Sequence, residues 1–153
     1  MKLRPLLAQL DSVANFLQSP LLLAIRLYWG WQFFLTGKAK LMDIPTFTER
    51  FTNWGVPMPK LNVIMAGSTE AGCGLLLAAG LFARPAAIPL IGTMTVAYLT
   101  AHKDVLHGIF DDPDAFVSAA PFLFLLAAMI VLAFGPGKLS LDALLGKNQG
   151  PAK

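Results

Sequence analysis

The chain has 153 residues, of which 56% are hydrophobic and only 14% charged. A soluble domain carries roughly 25% charged residues, so this is the composition of an integral membrane protein, and the length suits one domain. The basic residues behind the net charge of +3 form no stripe, which excludes nucleic-acid binding, and the single cysteine excludes an internal disulfide, a CxxC redox pair and a cysteine metal cluster.

No cleavable signal peptide is apparent in the opening residues. Residues 3–17 carry Leu3, Leu6, Leu7, Leu10, Val13 and Leu17 at helical spacing, with Gln9, Asp11, Ser12 and Asn15 off that stripe. The pattern predicts a short amphipathic helix lying on the membrane surface. Ser19-Pro20 is expected to reset the chain, with Pro20 at the start of a new helix. The first span is then 20–42, long enough to cross a ~30 Å hydrocarbon core. Arg26, Trp29, Gly30, Phe33, Gly37 and Lys40 share a face of it, and Lys38 and Lys40 are expected to snorkel at its far end.

Residues 43–60 form the longest loop, with a short interfacial helix expected over Thr46–Trp54 and an extended, proline-punctuated turn after it. The second span is 61–82. Arg84-Pro85 ends it, and the short turn predicts antiparallel packing against a third span at 85–101. An acidic loop at 103–115 leads to an uncharged fourth span at 116–134, followed by a Gly-Pro-Gly-Lys turn and one last interfacial turn around Ser140 and Asp142. The fold class is thus all-α, a membrane four-helix bundle with short amphipathic interfacial segments. Lys and Arg divide almost evenly between the two faces. The Arg84 turn and the acidic loop favour both termini inside, in the plasma membrane of a bacterium.

Glu70 is the only charge between Leu61 and Phe82. With Gly67, Ala71, Gly74 and Ala78 it falls within a stripe about 100° wide. A carboxylate in a membrane segment faces protein rather than lipid, and small residues let a neighbouring helix approach. By helical rise, Arg26 lies ~9 Å and Glu70 ~18 Å from the terminal face, near enough for the long arginine side chain to be the expected partner. Gln32 and Tyr98 fall near the depth of Glu70, with Ser68 and Thr95 close in level. The candidate site is therefore Glu70, Arg26, Gln32 and Tyr98, read either as a fold-specifying ion pair or as a proton or ligand site. His102 and His107 lie at one face without a metal-ligand spacing, so no metal is expected. They are not placed for a bis-histidine haem across two spans. No nucleotide-binding or flavin fingerprint is present.

The stretches RLYWGWQFFLTGKAKL (26–41), FTNWGVPMPKLN (51–62), AGSTEAGCGLLLAAGLFARPAA (66–87), TVAYLTAHKDVL (95–106) and FGPGKLSLD (134–142) resemble the DoxX family of small bacterial four-span membrane proteins. Arg26, Gly37, Lys38, Gly55, Pro57, Glu70, Gly74, Arg84 and His102 match its pattern. The family takes its name from a subunit of a thiosulfate:quinone oxidoreductase. The resemblance implies an accessory subunit of a membrane oxidoreductase or quinone-linked system, with no intrinsic cofactor and a quinone as the candidate ligand. Membrane lipid and a soluble or membrane redox partner are the implied partners. Two further readings are a non-enzymatic anchor or assembly factor for a soluble partner, and a small-molecule transporter. No catalytic residue is carried over.

Overall fold

A single helix of 40 residues, α1 (Leu3–Met42), opens the computed structural model, which describes residues 3–146. At ~1.5 Å per residue it is about 60 Å long. The expected break at Pro20 is absent. A proline removes one hydrogen bond and crowds the preceding turn, but here the helix continues through it. Residues 3–17 are therefore the extension of the first span rather than a separate helix, and residues 7–18 of it are exposed on every side.

Seven further helices follow among the described residues: α2 (Ile44–Asn53), α3 (Pro59–Ala79), α4 (Ala83–Thr100), α5 (Lys103–His107), α6 (Pro113–Ser118), α7 (Ala120–Phe134) and α8 (Leu141–Leu144). No strand occurs among these residues, and the all-α expectation holds. The bundle is made by α1, α3, α4 and α7. Within it α1 packs chiefly on α3, α4 on α7, and the α3–α4 contact joins the two pairs. The predicted fourth span is divided: Ala119 is extended at ψ 140°, and Pro121 sits in the first turn of α7, where its missing N–H costs nothing. The 15 residues of α7 therefore follow the short helix α6 rather than continuing it.

Phe33, Leu77, Leu90, Ala128 and Val131 fill the centre of the bundle. Its outside is equally apolar: Leu27, Trp31, Ile88, Leu99, Leu123 and Met129 are all exposed. Contiguous apolar surface on this scale is foreign to a water-soluble monomer. It is the exterior of a protein solvated by lipid. By length and composition α3 is long and apolar enough to cross a membrane, and α7 is a shorter apolar helix.

The closest approach in the bundle is between α1 and α3, backbone against backbone. A Cβ added at Gly74 would lie 2.8 Å from the carbonyl oxygen of Gly30 and from the amide nitrogen of Phe34, and one at Gly30 would lie 2.6 Å from the amide of Ala78. About two turns further along, a Cβ at Gly37 would meet Gly67 O at 2.6 Å. Only glycine permits that contact, and it fixes the register of α1 on α3. Gly74→Val should lower stability in detergent by about 1–3 kcal/mol because neither backbone can yield without moving its helix. Gly72→Ala, on the open face of α3 with no atom within 4 Å of the new methyl, should be neutral or slightly stabilising. Thermal unfolding of the two variants side by side measures this difference.

Candidate functional site

Two polar clusters lie at different levels of the bundle, one at the terminal face and one near mid-span, and each takes one of the charges that the sequence analysis paired. At the end formed by the α3–α4 turn, Arg26 is fully buried. Its Nη2 donates to the carbonyl of Leu139 at 2.5 Å and its Nη1 to the carbonyl of Ala78 at 3.4 Å. The chain after α7 folds back over this turn. Asp142, 4% exposed, accepts from the backbone N–H groups of Phe82 (2.9 Å) and Ala83 (3.1 Å). It thereby caps the N-terminus of α4 from a segment about 60 residues away, where a carboxylate also complements the helix dipole. Its own N–H donates to Gly80 O at 2.9 Å, and Lys138 N–H donates to Ser19 Oγ at 3.3 Å.

Gly80, at φ +68°, ends α3 in a left-handed turn with Leu81 N–H returned to Leu76 O and Gly80 N–H to Leu77 O. Phe82 is also left-handed, at φ +47°, and its N–H is one of the two that Asp142 holds. Together these bonds fasten the C-terminal segment onto the terminal face, although the buried Nε of Arg26 has no partner among the described residues.

Arg26 is thus not the partner of Glu70. The Gly30 and Gly37 contacts place α1 so that Lys40, one helical turn past Gly37, reaches Glu70. Lys40 Nζ and Glu70 Oε2 are 2.6 Å apart, with Glu70 3% and the Lys40 side chain 16% exposed. Lys40 was expected at the interface; its ammonium turns back into the bundle instead, within 5.8 Å of the Phe47 ring centroid. That is cation–π range.

The pair sits in the wall of a cavity of about 450 Å³. The cavity lies between α3 and α4, with α2 contributing Phe47 and Phe51, its C-cap residue Trp54 lining it too, and α7 contributing Phe124. Met65, Met94 and Val96 complete a largely apolar wall, and the polar lining consists of Lys40, Glu70, Thr36, Asn62, Thr69, Thr93, Thr100 and His102. From Pro89 to Thr100 it follows α4 for eleven residues, about 17 Å, and it reaches His102 just beyond. Its size falls within the usual range for small-molecule sites, as does the pattern of apolar walls with a few convergent polar groups. Glu70 Oε2 is occupied by Lys40, while Oε1 has no hydrogen-bond donor among the described residues. Lys40 likewise has further N–H donors beyond the one it gives to Glu70.

Tyr98 and Gln32 do not line the cavity. The Tyr98 hydroxyl donates to Phe116 O at 2.8 Å and its ring stacks on that of Phe116 at 4.7 Å, which makes it a satisfied core residue. Gln32 is half-buried on α1. Ser68 and Thr95 face outward; Thr69 and Thr93 stand where those two were expected. The sequence reading missed Lys40 as the partner of Glu70, and Asn62 and His102 as cavity residues. The available signal was that Lys40 shares its helix face with Gly30 and Gly37, the face that must press against a neighbour.

Residues 21–103, which hold both members of the pair and most of the cavity wall, match the DoxX family model. The chain belongs to the DoxX family. It is 28% identical over 130 residues to an uncharacterised protein of Haemophilus influenzae, covering 82% of this chain and 83% of that one. It is 33% identical over 136 residues to an uncharacterised membrane protein of Mycobacterium tuberculosis, covering 84% and 83%. No solved structure matches the chain. Its DoxX membership and its lipid-solvated exterior together make it a small integral membrane protein.

Proposed function

We propose that this DoxX protein is the membrane subunit of an oxidoreductase system and that it holds a quinone in the cavity beside Lys40 and Glu70. The observation that carries this reading is an apolar, aromatic-lined cavity in a lipid-solvated bundle whose only charged lining groups are one ammonium and one carboxylate in contact. The quinone supplies two-electron, two-proton redox chemistry when bound. There Lys40 would hold the ring by a hydrogen bond to a carbonyl oxygen, and the Glu70 carboxylate would offer an acceptor beside it. Exchange of a proton between the ring oxygen and this pair requires no water in the apolar interior. Phe47 and Phe51 of α2 and the adjoining Trp54 supply aromatic wall against which a flat ring could pack. The chain has a single cysteine and so no redox thiol pair of its own; electrons are exchanged with the cofactor of a partner enzyme. In the plasma membrane of a bacterium, with both termini cytoplasmic, α2 and the His102 end of the cavity face outward.

The test is mass spectrometry of the gently purified protein for isoprenoid quinone, followed by titration of quinone into stripped protein in nanodiscs. Wild type should bind, and Glu70→Gln, which keeps the shape and removes the charge, should weaken binding of the reduced form about tenfold, close to 1.4 kcal/mol. Wild-type protein that neither retains nor takes up quinone overturns the reading.

A further inference from the structure

The cavity has a side opening toward lipid. Glu70 lies nine residues before the end of α3 and Gly92 nine residues after the start of α4, so both are about 14 Å from the turn that joins the two helices. Gly92 is therefore level with the ion pair, near the middle of the ~30 Å that α3 spans. It lines the cavity and is exposed, and a Cβ added there would meet nothing within 4 Å. Its neighbours at this opening, Met65 on α3 and Val96 on α4, also line the cavity and are 57% and 52% exposed. A residue that is at once cavity wall and outer surface marks a portal, and at this depth the surroundings are hydrocarbon. A molecule arriving from water has no route to that point; one dissolved in the bilayer does.

Resting on the quinone reading above, we infer that the ligand is a ring carrying a long hydrocarbon tail, and that it enters sideways from the bilayer between α3 and α4 past Gly92. The ring passes inward to Lys40 and Glu70, and the tail stays in lipid across the Met65–Val96 threshold. Gly92 is then the residue that sets access: it leaves open space where any side chain would stand in the doorway.

The experiment compares two probes on wild type and Gly92→Phe in nanodiscs: a long-tailed isoprenoid quinone supplied in the lipid, and the same ring without its tail supplied from water. Gly92→Phe should weaken the tailed probe at least about tenfold and leave the tailless one unchanged. Equal loss of both, or of neither, overturns the portal. Wild type that binds neither probe removes the quinone reading, and the portal is then judged by a spin label on Gly92→Cys in a Cys73→Ala background. Collisions with dissolved oxygen should exceed those with a water-soluble nickel chelate, as they should for a label at the lipid-facing Leu99. A label reached mainly by the chelate, or by neither agent, overturns the portal independently of any quinone.

Discussion

Lys40→Met is expected to destabilise the protein by about 3 kcal/mol, because it leaves the carboxylate of Glu70 buried without a counter-charge. Glu70 is 3% exposed, and among the described residues its only ion-pair contact is the 2.6 Å one with Lys40. Removing both charges should behave differently. In Lys40→Met with Glu70→Gln, neither group is stranded, and replacing a buried pair by neutral groups of similar volume is often neutral or stabilising. The double variant should therefore recover most of the loss while still failing to bind quinone. Thermal or denaturant unfolding in a fixed detergent, run on the two single variants and the double, measures the coupling. A double variant as unstable as Lys40→Met would mean that the lysine acts through packing of its alkyl chain against Phe47 and not through its charge.

Asp142→Ala is expected to cost as much or more, about 3–5 kcal/mol. This substitution withdraws the acceptor for the N–H groups of Phe82 and Ala83, which open α4. It also removes a negative charge that acts on the fully buried Arg26. Asp142→Asn, which keeps one acceptor oxygen and loses the charge, should recover about half. A calorimetric or fluorescence melt of purified protein checks the order wild type, Asn, Ala. Asp142 does not line the cavity, so a change in quinone affinity in folded Asp142→Asn protein measures coupling carried through α1.

Hydropathy and helical spacing were sufficient for the all-α class, for the contact between α3 and α4, and for the burial of Glu70. A lone carboxylate in an apolar run is costly in lipid, and that cost is visible in the residue string itself. Its partner was not visible, for a geometric reason. Depth arithmetic ranks residues along one helix axis but says nothing of how two helices are phased about their axes. Arg26 and Lys40 share a face of α1, so spacing could not choose between them; the choice is made where Gly30 and Gly37 meet Gly74 and Gly67.

Pro20 misled in the opposite direction. A proline is a reliable local signal for a helix start, yet the loss of one hydrogen bond is small against the continuity of a 40-residue helix. The role of Asp142 was illegible because a cap supplied from about 60 residues away leaves no local pattern. A capping carboxylate is ordinarily sought next to the helix it serves. The cavity, likewise, is a property of the space between α2, α3 and α4, which no single stretch encodes.

The unbroken first helix has a mechanical consequence. Arg26 and Lys40 are fourteen residues apart on α1, close to four full turns, so they point the same way about 21 Å apart on one stiff rod. One is gripped at the terminal face by Leu139 and Ala78, the other at the cavity by Glu70. No proline, glycine pair or break lies between them that could absorb a twist other than the glycines already locked against α3. A rotation of the rod that loosens one grip must loosen the other. The Lys40–Glu70 contact and the seat of the C-terminal segment on Arg26 are therefore mechanically linked through α1.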